Sequence, residues 1–104
     1  MPLELKLEDL ILRVDGDVLE IFRKRLFSER VPLAWLAVKV QPSIKHRLML
    51  RIMSEPGDIP LYEVFSKAQL VLGDSVDVII NVEEEPYYRQ FFTQVAQVCG
   101  RYIA

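Results

Sequence analysis

With 104 residues, 51% of them hydrophobic and 27% charged, and only four Gly and six Pro, the chain has the composition of one folded domain, residues 1–104, and not of a disordered segment. A chain this size buries roughly 60–68% of its unfolded surface, enough for one core and too little for a deep cofactor cleft besides, so no cofactor is expected. The formal net charge of −2 argues against a uniformly basic nucleic-acid binder, and the longest charge-free stretch, Gln90–Gly100, is 11 residues against the roughly 20 of a membrane helix.

Apolar residues alternate through the first half of the chain, the period-2 signature of half-buried strands. Residues 5–14 read as one strand, with Leu10, Leu12 and Val14 on one face. Asp15-Gly16-Asp17 reverses it, because Gly supplies the positive φ of a tight hairpin, and Val18–Lys24 follows as a second strand. Phe27–Leu33 reads as an edge strand, since Pro32 removes a ladder donor. Leu36, Val38 and Val40 mark a fourth strand that ends at Pro42.

Residues 45–53 alternate most clearly. His46, Leu48, Leu50 and Ile52 share one face, and Lys45, Arg47, Met49, Arg51 and Met53 share the other. Glu55-Pro56-Gly57-Asp58 is a turn, Leu61–Phe65 a strand, Ser66–Gly73 ambiguous, and Val76–Val82 a strand rich in β-branched residues. The period then changes. Tyr88, Phe91 or Phe92, Val95, Val98 or Cys99, and Tyr102 recur at spacings of three and four, which predicts an amphipathic helix that starts at Glu83-Glu84-Glu85-Pro86, with Gly100 as its stop. The expected class is mostly β, α+β: six or seven antiparallel strands in a sandwich or open barrel, capped by one C-terminal helix.

This order resembles the pleckstrin-homology-like superfamily, its small bacterial members in particular. The resemblance is carried by the opening hairpin LILRVDGDVLEIF, the segment RVPLAWLAVKV, and the run VDVIINVEEEPYYRQFFTQVAQV from last strand into aromatic helix. It implies a binding module and no reaction. The family's phosphoinositide binders carry basic residues about the first hairpin, where this chain has Asp15 and Asp17, so the resemblance implies no headgroup site there.

Charge is segregated along the chain: −4 over residues 1–20, +7 over 21–54 and −5 over 55–104. The basic third holds Arg23, Lys24, Arg25, Arg30, Lys39, Lys45, Arg47 and Arg51 against Glu29 alone. Either these converge into a patch for an acidic protein or anionic lipid, or they pair with the acidic thirds across the sheets. Without exposed aromatics among them, nucleic acid is not the expected partner. Met49 and Met53, apolar on a charged face, either form a protein contact surface or lie beneath another segment, Leu26-Phe27 or Ser66–Gly73.

His46 and Cys99 are the chain's single His and single Cys; on the apolar phase of a strand and the buried face of a helix, both read as structural and not as a base and nucleophile. Glu83-Glu84-Glu85 reads as a helix-dipole feature and not a cation site, and no metal site or catalytic motif is expected. The lone cysteine and the acidic first residues, unlike a secretory signal, predict a cytoplasmic protein. The expected function is a non-catalytic binding module. It would engage another protein, or a second copy, through a sheet edge or the Arg/Met strand face; the other expected partner is an anionic membrane surface contacted by the 23–51 segment.

Overall fold

The computed structural model describes residues 3–24, 28–70 and 73–104. Among these residues, eight strands form two four-stranded sheets, and neither closes into a barrel. The first sheet is an antiparallel meander of β1 (Glu4–Lys6), β2 (Leu10–Asp15), β3 (Val18–Arg23) and β4 (Glu29–Pro32). The second contains β5 (Leu36–Pro42), β6 (Arg47–Ser54), β7 (Tyr62–Val64) and β8 (Ser75–Asn81), in the order β7-β5-β6-β8. One helix, α1 (Glu85–Cys99), follows, and no helix among the described residues is long and apolar enough to cross a membrane.

The single strand expected over residues 5–14 is two. Leu3, Leu5 and Leu7 face the core on odd numbers, Leu10, Leu12 and Val14 on even ones, and a turn at residues 7–9 absorbs the phase slip. The Leu7 N–H donates to the Leu10 carbonyl at 2.8 Å, folding β1 back so that Leu5 lies opposite Leu12. The hairpin between β2 and β3 forms as expected, with Gly16 at φ 62° as the first loop residue and Asp15 paired to Val18. Strand β4 is an edge, ended by Pro32; Phe27 lies outside the described residues.

The second sheet departs from a meander. Strand β7 runs parallel to β5, so the 55–61 connection, instead of closing a hairpin beside β6, carries the chain past the end of β5 to its other side. Arg101, just beyond the helix, holds this junction together. Its guanidinium donates to the carbonyls of Leu33 at 2.9 Å, Leu36 at 2.5 Å and Ile59 at 3.0 Å, on two segments distant from it in sequence. The residues after it tie down the outer side of β7, through Leu61 N–H to the Tyr102 carbonyl and Ala104 N–H to the Tyr62 carbonyl.

Leu12, Leu19 and Ile21 from the first sheet meet Leu36, Val38, Val40, Leu50 and Ile52 from the second, all essentially without solvent contact. Each such side chain contributes about 1.5–3 kcal/mol on burial, so this interlayer dominates the stability. The helix buries Tyr88, Phe91, Phe92 and Val95 and lies along β1 and β7, one edge of each sheet, closing that side. Phe92 stacks on Tyr62 with centroids 5.6 Å apart and meets Phe91 edge-on at 5.1 Å. The Tyr62 hydroxyl donates to Glu85 at 2.8 Å, and Arg89 grips the same carboxylate through two guanidinium nitrogens. Burial first, then the Glu85 bond and charge, push the Tyr62 hydroxyl well above the usual tyrosine range and keep it a donor.

The helix also begins differently. Val82–Glu84 form a tight turn before it, and the three expected dipole carboxylates divide their roles: Glu84 accepts the Asn81 N–H at 2.8 Å, Glu85 serves Tyr62 and Arg89, and Glu83 is exposed. Gly100 ends the helix at φ 71°, as expected.

Candidate interaction surface

The outer face of the second sheet is laid out in cross-strand rows set by register. Lys39, Arg51 and Asp77 share one row, and Gln41, Met49 and Ile79 the next. The first row is neutralised within the chain: Arg51 lies 3.6 Å from Asp77, and Lys39 lies 2.8 Å from Glu55. Arg51 also donates to the Met49 sulfur at 3.2 Å.

Half of this face is covered. The connection from β7 to β8 carries Gln69, whose N–H donates to the buried Gln41 side chain at 3.2 Å, and places Leu70 in one hollow with Lys39, Met53 and Glu55. Met53 is buried, whereas Leu70 is 91% exposed. Of the two readings for the methionines, burial of Met53 accords with cover by another segment; Leu26-Phe27 and residues 71–72 of Ser66–Gly73 lie outside the described residues.

The other half is open. The β5–β6 link is a turn, Ile44–His46, in which Lys45 (φ 55°) and His46 (φ 61°) take the left-handed conformation that L residues adopt at a cost. The strand expected over 45–53 therefore starts at Arg47, and Lys45 and His46 belong to the turn. Both are exposed, so His46 is not on an apolar face as expected. The Ser43 N–H donates to the Arg47 carbonyl at 2.8 Å and closes the turn. Ile44, 73% exposed, stands at its start.

Around this turn lies a mainly apolar hollow of about 530 Å³, lined by Ile44, Met49 and Ile79 and walled by Ser43, Lys45 and Arg47. A second hollow of about 470 Å³ adjoins it through the shared Ser43, Lys45 and Arg47, and includes the exposed Val82. Among the described residues, neither Lys45 nor Arg47 has a carboxylate within 4.0 Å, whereas Lys24, Lys39 and Arg51 each do.

The nine residues expected to form one surface are thus divided. Lys45, Arg47 and Met49 come together. Lys39 and Arg51 lie on the same face but are ion-paired, Met53 is buried, and Arg23 and Lys24 belong to the end of β3 in the first sheet, with Lys24 3.9 Å from Asp9. Arg25 lies outside the described residues. The expected alternative, basic residues paired with the acidic thirds, accounts for Lys24, Lys39 and Arg51; exposed pairs of this kind contribute about 0–1 kcal/mol each.

Sequence reading missed Ile44, Ile79 and Val82. An isoleucine in the Pro-Ser-Ile-Lys turn was a usable signal, while Ile79 is masked by a run of β-branched residues in which either phase looks buried. His46 and Cys99 line different hollows, His46 beside Val82 and Cys99 beside Gly16, Leu33 and Ala34. Cys99 is half-buried on the last helical turn, its thiol 3.8 Å from the Ala96 carbonyl. Compared with models of protein families, with characterised proteins and with solved structures, the chain matches none.

Proposed function

We propose that this chain is a non-catalytic binding module of the pleckstrin-homology-like kind, which recognises another protein through the open half of its second sheet. One observation carries the reading: an apolar hollow formed by Ile44, Met49 and Ile79, flanked by two cations, Lys45 and Arg47, that have no carboxylate partner among the described residues. Every other basic side chain of this face is neutralised within the chain. Adaptable thioether and branched apolar groups with arginine at the rim are the composition of protein contact surfaces. The two-sheet body with one closing helix accords with the plan that the resemblance implies.

A second reading has its own support. Ile44 stands exposed beside Lys45, His46 and Arg47, as an apolar tip with basic flanks does on an anionic membrane.

Site-specific photocrosslinking separates the two. A benzoylphenylalanine at position 79, in extract from the source organism, should give a discrete protein adduct that Lys45→Glu with Arg47→Glu abolishes, and the same label at Glu29 in the first sheet should not. Equal adducts at both positions overturn the reading. So does retention on phosphatidylserine vesicles that the same two substitutions abolish, an outcome that assigns the face to lipid.

A further inference from the structure

Sheet edges carry unpaired main-chain donors and acceptors, and folded chains normally protect them. Three of the four edges here are protected. Strand β7 is flanked by residues 102–104, β1 spans three residues of which two are charged, and β4 spans four with Glu29, Arg30 and a terminal Pro32. Strand β8 differs. It is seven residues long, hydrogen-bonded to β6 alone among the described residues, and lies across the second sheet from β7, the strand that α1 covers. Its one charge, Asp77, is held by Arg51 at 3.6 Å and by the Ser75 hydroxyl at 2.6 Å, so it is not free to repel an incoming strand.

We infer that β8 is a docking edge for an extended, acidic segment of a partner protein, which adds to the second sheet as a fifth strand. The inference rests on the reading of this face as a protein-binding surface and specifies the partner's form. Main-chain hydrogen bonds along residues 75–80 supply the pairing; the edge ends there because the Asn81 N–H is already bonded to Glu84. Side chains of an added strand alternate between faces, and those on the outer face meet Asp77 and Ile79.

Ile79, 45% exposed and paired in register with Met49, favours an apolar neighbour. Arg47 is paired in register with Asn81, two strands or about 10 Å from the added one, a distance that an arginine and a glutamate span together. A carboxylate is therefore favoured at the Asn81 end. A second copy pairing through the same edge brings no carboxylate to Arg47 when centred on Val78. Centred on Ile79 it sets Asp77 opposite Asn81, but that carboxylate is already held by Arg51 and Ser75, and the pairing spans only residues 77–81 and needs the Asn81 N–H that Glu84 occupies. A separate acidic strand is therefore the better complement.

The test is an amide NMR titration of the whole chain with a synthetic peptide in which Val and Thr alternate and Glu occupies both ends. Resonances of residues 75–80 and 44–49 should move, and the same peptide with Lys ends should bind about tenfold more weakly. Methylating alternate peptide nitrogens should abolish binding in one phase and spare it in the other, because an added strand turns only every second N–H toward β8. Ile79→Lys should weaken binding about tenfold without altering the fold, since the residue is exposed. Binding that moves 44–49 and ignores both methylation phases overturns strand addition and leaves the face as a binding surface. No response at millimolar peptide, while the position-79 crosslink persists, likewise overturns the acidic strand alone. Loss of both removes the underlying reading as well. Concentration-dependent shifts of 75–80 without peptide assign the edge to a second copy and overturn the acidic partner.

Discussion

Arg101→Met tests whether one guanidinium governs the irregular end of the second sheet. Methionine preserves much of the apolar stem and removes three donors, those to the carbonyls of Leu33, Leu36 and Ile59. Bonds from a charged donor contribute about 1.5–3 kcal/mol each, but the side chain is only half-buried, so the loss expected for the three together is about 2–4 kcal/mol. At an m-value of about 1.5 kcal/mol/M, the urea midpoint should fall by about 1.3–2.7 M with m unchanged. Trp35, the single tryptophan, lies between Leu33 and Leu36 and reports on this junction by fluorescence, while circular dichroism reports on the sheets. Both transitions should move together. Arg101→Lys should be intermediate, because an ammonium lacks the planar fork that reaches three divergent acceptors. A Met variant whose midpoint lies within about 0.5 M of wild type would show that the 55–61 crossover is held by packing and not by these bonds.

Tyr62→Phe leaves the largely buried Glu85 carboxylate with Arg89 as its one side-chain partner among the described residues and should cost about 1–3 kcal/mol; a double cycle with Glu85→Gln that shows no coupling would refute the pairing. Stability should also decline at alkaline pH. Burial, with a smaller contribution from Glu84, raises the Tyr88 hydroxyl to about 12, and Tyr62 is raised further. Unfolded tyrosines ionise near pH 10, so above that pH the folded chain holds more protons than the unfolded one, and stability present below pH 10 is lost as pH rises toward 12. Urea midpoints at pH 8 and pH 11 measure this, and a Tyr88→Phe variant with the same decline as wild type would refute the assignment. Gln41→Leu releases the Gln69 N–H from the covered half of the outer face and should speed hydrogen exchange across residues 66–70 while changing global stability by only about 1 kcal/mol; unchanged exchange there would show that the cover does not depend on this bond.

Local pattern determined much of the architecture. Alternation placed β3, β5 and β6 to within a few residues and merged β1 with β2, Asp-Gly placed the first hairpin, and the change of period at Glu83 placed the helix, because strand and helix faces are encoded by spacings of two and of three to four. The phase slip between Leu7 and Leu10, which makes an eighth strand, was also legible, since one residue of slip transfers every side chain to the opposite face.

Tertiary structure decided the rest. The parallel placement of β7 beside β5 depends on Arg101 and the residues after it, some forty positions away, and no local spacing encodes such a contact. The basic residues present the same limit. In sequence, Lys39, Lys45, Arg47 and Arg51 are equivalent cations of one segment. Only the fold brings Glu55 and Asp77 against two of them and leaves Lys45 and Arg47 beside Ile44 and Ile79 with no carboxylate partner among the described residues, because charge pairing is set by which strands become neighbours and not by order along the chain.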